Sequence, residues 1–195
     1  QSNSLSLLFN EMEKRNLDSI CSNPEPLSQN NKLGNKVAWE NCRIWDEIRV
    51  ILDKTNENWA LTGYLFLVIV SSLPQAIPIG IINDDAYTGL SLLHNKKTIG
   101  YKSTSKVFVK FPENLSDYFL QKLRVRSGWD QLKQFDKIRI TELRLLQKRI
   151  AIQRFLKGNT ISLVCLFLNE IDFAISYIYK KRPNGYIWPQ IKSTK

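Results

Sequence analysis

Two adjacent carboxylates are the sharpest chemical signal in this sequence. Asp84 and Asp85 follow an apolar run that ends at Ile82, and they precede a stretch with helical spacing. Carboxylates at a junction of strand and helix lie at the edge of a sheet, where α/β proteins bind their ligands. Acidic side chains in a first helical turn also stabilise the helix by capping it. The motif alone therefore leaves a catalytic and a capping role open.

The elements before this pair alternate between helix and strand. Apolar residues recur at helical spacing over residues 4–16, residues 17–21 indicate a short strand, and the proline-rich residues 22–26 indicate a turn. After a polar loop over residues 28–35, an amphipathic helix is predicted over residues 37–54, with its charged positions on a solvated face. This order predicts an α/β fold.

The most hydrophobic window covers residues 61–82 and is nearly long enough to span a bilayer. Pro74 and Pro78 interrupt it, which argues against a transmembrane helix. The β-branched and aromatic residues 64–70 instead predict a buried strand of a covered sheet.

The second half of the chain is predicted to be mostly helical. A helix should follow Asp85, then two short strands over residues 98–102 and 106–111. Ser116 is expected to cap a helix that ends near residue 134. Two more helices are predicted, over residues 137–157 and residues 160–181, because Gly158 and Asn159 form a typical helix stop.

Charge is distributed unevenly along the chain. The net charge is +10, but residues 1–95 hold 7 basic and 11 acidic residues, whereas residues 96–195 hold 21 and 7. The basic half indicates an anionic partner, and nucleic acid, an anionic membrane and a phosphorylated ligand all qualify.

The cysteines and the histidine indicate no metal or redox site. Cys21, Cys42 and Cys165 are widely spaced, which favours free thiols in a reducing compartment. His94 is the only histidine, and the sequence offers no partners for a zinc site or a catalytic triad.

Several short motifs follow one another in a fixed order. They are Asn23-Pro24-Glu25-Pro26, Leu61-Thr62-Gly63-Tyr64, Asn83-Asp84-Asp85, Ile99-Gly100-Tyr101, Phe111-Pro112-Glu113 and Gln121-Lys122-Leu123-Arg124-Val125. This series resembles the family 2 inverting glycosyltransferases, including the cellulose-synthase-like enzymes, over roughly residues 1–135. The family pattern has an acidic helix start, a strand pair, a proline turn and a helix with Gln-x-x-Arg-Trp.

The resemblance implies a nucleotide-diphospho-sugar transferase (GT-A-like) fold with a mixed sheet followed by C-terminal helices. Residues 1–135 would be the acceptor-side part of the catalytic domain, and residues 136–195 a basic helical tail. Asp85 would be the general base that takes the proton of the acceptor hydroxyl. Asp84 would be its helper or a cap.

The resemblance also implies residues that bind the acceptor and the donor diphosphate. Gln121 and Arg124 would lie near the acceptor and the pyrophosphate, where a guanidinium stabilises developing charge. Thr62 and Gly63 would belong to the same binding region. Val125 stands where the family has tryptophan, which argues against a stacking platform for the acceptor sugar at that position.

The resemblance also implies a cofactor for binding the nucleotide-sugar donor. A divalent Mg²⁺ or Mn²⁺ is expected in the full-length enzyme, held by an Asp-x-Asp motif upstream of Gln1, with no metal site among these 195 residues. The expected partners are a nucleotide-sugar and a saccharide or lipid-linked acceptor, without nucleic acid. The expected location is cytoplasmic, at the inner face of the membrane.

The basic helix over residues 137–157 has two interpretations. It could lie on anionic lipid, or it could pack on its own domain and expose a basic face to solvent. Two alternatives to an enzyme also remain, a basic nucleic-acid-binding domain and a non-catalytic adaptor at a membrane surface in which the acidic pair is only a cap.

Overall fold

The computed structural model describes residues 2–27 and 31–179, and the side chains of residues 3–27 and 31–171. The chain forms two compact units. Unit 1 consists of residues 1–25 and 45–109, and unit 2 of residues 26–44 and 110–195. Helix α2, Leu33–Lys54, contributes its first part to unit 2 and its second part to unit 1.

Unit 1 is built on a three-stranded mixed sheet, which confirms the α/β class. Its elements are α1 (Ser2–Arg15), β1 (Ser19–Pro26), the end of α2, β2 (Phe66–Val68), a 3-10 turn (Val70–Ser72), α3 (Asp84–His94) and β3 (Ile99–Val109). The strand order is β2-β1-β3, and β2 pairs with β1 antiparallel, Cys21 opposite Phe66.

Successive residues of β1 point to opposite faces of the sheet and enter two separate cores. Ile20 packs with Leu8 and Leu17 on the face that α1 covers. Cys21 packs on the other face, with apolar residues of α3 and β3 such as Leu92 and Tyr101. Helices therefore cover both faces of this sheet.

Strand β1 is longer than predicted. Residues 22–26 continue the strand, so the predicted turn there is wrong. The pairing with β2 covers only Ser19 to Cys21. Pro24 and Pro26 lie beyond it, where the missing N–H of proline breaks no ladder on that side.

The apolar window folds differently from the predicted buried strand. Strand β2 has only three half-buried residues at an edge of the sheet, and Val70 and Ile79 are exposed. The 3-10 turn over Val70–Ser72, with Ile69 as its N-cap, directly follows this strand and ends it. Within the described residues, no helix has the length and apolar character needed to cross a membrane.

Strand β3 is continuous over 11 residues, so the two short strands predicted here are one. Ser103 and Ser105 lie in its middle, and each takes part in a hydrogen bond with another element. Ser105 donates to the carbonyl of Ser4 at 2.9 Å, and the Ser103 carbonyl accepts from the Asn23 amide at 3.5 Å. These partners on α1 and β1 keep the polar stretch extended.

Unit 2 contains the start of α2 and the helices α4 (Leu115–Leu132), α5 (Lys137–Leu156) and α6 (Thr160–Tyr179). The three helices pack on one another. Asn114, not Ser116, is the N-cap of α4, because its side chain accepts from the Asp117 N–H at 2.8 Å. Helix α6 begins where predicted, and its last predicted residues, 180 and 181, lie outside the described residues.

The charged positions of α2 do not all form a solvated face, which corrects the prediction for this helix. Glu40 is 3% exposed and Arg49 is 7% exposed. In unit 2 Glu40 accepts hydrogen bonds from Arg154, Asn159 and Ser162, so it ties α2 to α5 and α6. A buried carboxylate is stable here because it has a cation and further donors.

Helix α5 packs on its own unit through one apolar face. Four of its basic side chains are held in ion pairs. They are Arg139 with Asp136, Arg144 and Lys148 with Glu170, and Arg154 with Glu40. These pairs support the interpretation in which α5 packs on its own domain, and the pair with Glu40 makes Arg154 less available to lipid.

Candidate functional site

Asp84 and Asp85 open helix α3 of unit 1, as the sequence predicts. The residues directly before them form no strand, so the predicted junction of strand and helix is wrong. Asp84 is exposed, and its carboxylate accepts from the Asp85 N–H at 3.0 Å. Asp85 is half-buried, and its Oδ1 accepts from the Ala86 N–H at 2.8 Å. The pair therefore does satisfy helix N–H groups, which is the capping role.

The second oxygen of Asp85 makes a contact that capping does not require. Oδ2 accepts from the backbone N–H of Gly63 at 2.8 Å. A carboxylate has about four lone-pair positions. Two N–H donors therefore orient Asp85 and still leave room for a further proton donor.

The environment makes Asp85 a stronger base than an ordinary aspartate. Burial raises the pKa of this carboxyl, and the N–H groups of Ala86 and Gly63 offset it only in part. The charge of Asp84 also raises the pKa, whereas Arg49 lowers it. Asp85 forms no ion pair with any residue that the structure describes. Its negative charge is therefore not neutralised by a bound side-chain cation.

Two glycines allow the close approach between α3 and the segment before β2. A Cβ at Gly89 would lie 1.9 Å from the carbonyl oxygen of Trp59, so only glycine fits at this crossing. A Cβ at Gly63 would lie 3.2 Å from Asp85 Oδ2. Gly89 thus sets the helix position, and Gly63 leaves space for the carboxylate.

Arg49 is a functional candidate that the sequence interpretation missed. Its Nε donates to the Ala60 carbonyl at 2.9 Å, and its guanidinium lies 5.3 Å from the ring centre of Trp45 and 6.0 Å from that of Tyr101. It forms no ion pair within the described residues. A buried guanidinium held this way adds a fixed positive charge to the region of Asp85.

A signal for Arg49 was present in the sequence. Trp45 and Arg49 are four residues apart, the spacing at which helical side chains stack. Tyr101 lies far away in sequence, in the motif Ile99-Gly100-Tyr101. Its hydroxyl donates to Asp46 at 2.6 Å, and burial together with this bond raises its pKa. Only the fold brings these residues together.

The other predicted binding residues lie in different surroundings. Thr62 is buried in unit 1, next to Gly63 in the chain. Gln121 and Arg124 belong to α4 of unit 2, where Gln121 is half-buried and Arg124 is exposed. They are three residues apart and share one side of the helix. Unit 1 therefore joins Gly63 to Asp85, and the roles of Thr62, Gln121 and Arg124 stay predictions.

The structure offers neither a metal cluster nor a reactive thiol in its described part. No group of three metal-binding side chains occurs among these residues. The three cysteines are free and buried. Burial raises the pKa of the Cys165 thiol to about 12 and also raises that of Cys21, so neither thiol is a nucleophile at neutral pH.

Comparison with models of known protein families finds no match, and no curated protein matches the chain.

Proposed function

We propose that this chain is the acceptor-side part of the catalytic domain of an inverting glycosyltransferase, with Asp85 as the general base. The observation that carries the proposal is the state of the Asp85 carboxylate. It is half-buried, held by two backbone N–H groups, free of an ion pair within the described residues, and raised in pKa. A general base needs a fixed position, a free lone pair and a raised pKa.

The proposed reaction balances as a single displacement. The acceptor oxygen attacks the anomeric carbon of a nucleotide-diphospho-sugar while its proton passes to Asp85. The bond from that carbon to the diphosphate oxygen breaks, and the nucleoside diphosphate leaves with the electron pair. Attack from the face opposite the diphosphate inverts the configuration.

Other features of the chain support the same proposal. The helix α4 carries Gln121 and Arg124 in the order that the family resemblance requires, and Arg124 is exposed enough to meet an anionic donor. The mixed sheet is the coarse feature that a GT-A-like fold shares. A divalent metal, which the resemblance implies for the full-length enzyme, would stabilise the leaving diphosphate.

The primary test is transfer by the full-length protein across a panel of nucleotide-sugars, with the anomeric configuration of the product read by NMR. We expect transfer from one donor class with inversion. Retention of configuration, or no turnover with any donor, would contradict the proposal.

A substitution at Asp85 tests the base directly. Asp85→Asn keeps the size of the side chain and removes the proton acceptor, so transfer should fall by roughly 10²–10⁴-fold, the usual share of general acid–base catalysis. Donor affinity and melting temperature should change little. The measurement is the transfer rate at saturating donor.

Asp84→Asn is the matched control, because Asp84 is exposed and binds only the adjacent N–H. It should retain most of the activity. If Asp85→Asn transfers sugar at the wild-type rate, Asp85 is a cap. In that case binding of the protein to RNA and to anionic vesicles would distinguish the nucleic-acid and membrane-adaptor alternatives.

A further inference from the structure

Helix α5 carries a second apolar face that nothing in the described residues covers. One face is buried in unit 2 and consists of Ile140, Leu143, Ile150 and Ala151. The opposite side exposes four large apolar side chains, Ile138 (72%), Leu145 (60%), Ile152 (47%) and Leu156 (76%). We call these four residues the α5 stripe.

The spacing of the α5 stripe is typical of helices that pack side by side. Ile138, Leu145 and Ile152 are each seven residues apart, which returns almost to the same angle around a helix. Leu156 follows Ile152 by four residues and lies on the same side. The stripe therefore runs straight along the helix, over a length of about 30 Å.

Two charged side chains lie within this face. Glu142 and Arg149 are both exposed, and neither forms an ion pair with any described residue. They are seven residues apart, about 10 Å along the helix axis, which is too far for a mutual ion pair. On this face an acidic side chain therefore precedes Leu145 and a basic side chain follows it, and neither has an ion-pair partner among the described residues.

We propose that the α5 stripe is an interface between two copies of this chain, with the two α5 helices antiparallel. A two-fold axis beside Leu145 places Glu142 of each copy opposite Arg149 of the other, so the interface holds two ion pairs. It also brings Ile138 next to Ile152 of the other copy. Self-complementarity of this kind is what a two-fold interface requires.

The charges on this face favour an antiparallel second copy over a parallel one and over a lipid surface. A parallel pair would place Glu142 opposite Glu142, and like charges at an interface are destabilising. An anionic lipid surface selects a face with net positive charge. Within the face that carries the α5 stripe, the charges of Glu142 and Arg149 cancel.

The size of the stripe sets the expected strength. One helix face of about 30 Å by about 10 Å is smaller than the roughly 800 Å² that each partner buries in a standard interface. The dimer should therefore be weak, with a dissociation constant on the order of micromolar at the tightest.

A charge swap tests the proposal. Sedimentation equilibrium should be measured on the purified protein from about 1 µM to about 1 mM, a range that extends to weak dissociation constants. Glu142→Arg and Arg149→Glu should each weaken the dimer about tenfold or more, because each creates two like-charge contacts. The double variant Glu142→Arg/Arg149→Glu should restore it.

Leu145→Glu should abolish the dimer without unfolding the protein, since Leu145 is exposed in the single copy. Lys157→Glu, at the end of the same helix but off the stripe, should leave it unchanged. A protein that is monomeric throughout, or a dimer that ignores both single charge reversals, would overturn the proposal. So would a monomer whose binding to anionic vesicles is lost in Leu145→Glu, because the face would then belong to lipid.

Discussion

Glu40 in unit 2 and Asp85 in unit 1 are both carboxylates withdrawn from water, but their pKa values move in opposite directions. Burial raises the pKa of each. At Glu40 the hydrogen bonds and charge of Arg154, with further donors on Ser162 and Asn159, outweigh burial and lower the pKa. At Asp85 two backbone N–H groups do not outweigh it, and the pKa stays raised.

The difference separates a structural carboxylate from one suited to chemistry. The carboxylate oxygens of Glu40 accept hydrogen bonds from three side chains of its own unit, and the charge of one of them, Arg154, neutralises it. Asp85 is oriented but not neutralised, so its charge is available to a proton donor that approaches from outside. A high pKa together with a fixed position is the combination expected of a base.

The largest effect on stability should come from removing the cation at Glu40. Arg154→Leu leaves a buried, uncompensated carboxylate, and such losses cost about 3–5 kcal/mol. Arg144→Leu is the matched control on the same helix, because its partner Glu170 is more than one-third exposed and such pairs contribute about 0–1 kcal/mol. Urea denaturation of both variants measures the two free energies of unfolding.

Asp85→Asn tests whether Asp85 contributes to stability as Glu40 does. The free energy of unfolding of this variant at neutral pH should stay within about 1 kcal/mol of wild type, because losing one hydrogen-bond acceptor is offset by losing a charge that burial disfavours. A loss as large as that of Arg154→Leu would show that Asp85, like Glu40, is structural.

A smaller effect is expected from moving Asp85 without changing its charge. In Gly63→Ala the new Cβ would lie 3.2 Å from Asp85 Oδ2, so the carboxylate must shift by a few tenths of an ångström. We expect the transfer rate to fall about tenfold, since misplacement of about 1 Å costs about 100-fold. The melting temperature should change little.

Gly89→Ala serves as the contrast to Gly63→Ala. Its Cβ would meet the backbone of Trp59, so this variant should lose stability as well as rate. The same measurements apply to both variants. If Gly63→Ala lowers the melting temperature as much as Gly89→Ala does, its loss of rate reflects unfolding and says nothing about the base.

A pH-dependent effect on stability is expected at Asp18, a third carboxylate with many donors in unit 1. Burial raises its pKa, but hydrogen bonds from Thr98, Ser72 and Lys97 bring it down from 3.8 to about 2. This shift of the pKa corresponds to about 2 kcal/mol of stability. Because the folded pKa is depressed, the contribution is present above pH 3.8 and is lost as the pH falls toward about 2.

Asp18→Asn should therefore lower the free energy of unfolding by about 2 kcal/mol at pH 7, and the difference should shrink below pH 4. Denaturation curves at several pH values measure it. A difference that does not depend on pH would assign the effect of Asp18 to packing rather than to its charge.

Local sequence patterns predicted most helices and the position of the acidic pair. Helical spacing over residues 4–16 and 137–157 survives in α1 and α5, because an amphipathic pattern needs only a neighbouring apolar surface. Strands were predicted less well. The prolines of β1 lie beyond its pairing with β2, and the serines of β3 have hydrogen-bond partners far away in sequence, which local patterns do not contain.

The sequence by itself determined that Asp85 opens a helix after an apolar segment, because apolar run, acidic pair and helical spacing are all local. Tertiary structure alone decided that Gly63 donates to Asp85, that Arg49 is buried between two aromatic rings, and that Glu40 has a cation while Asp85 has none among the described residues. Burial and pairing of a charge depend on residues 22 to 122 positions away. The pKa of a carboxylate follows from those partners, so two acidic residues that look alike in the sequence acquire opposite properties in the fold.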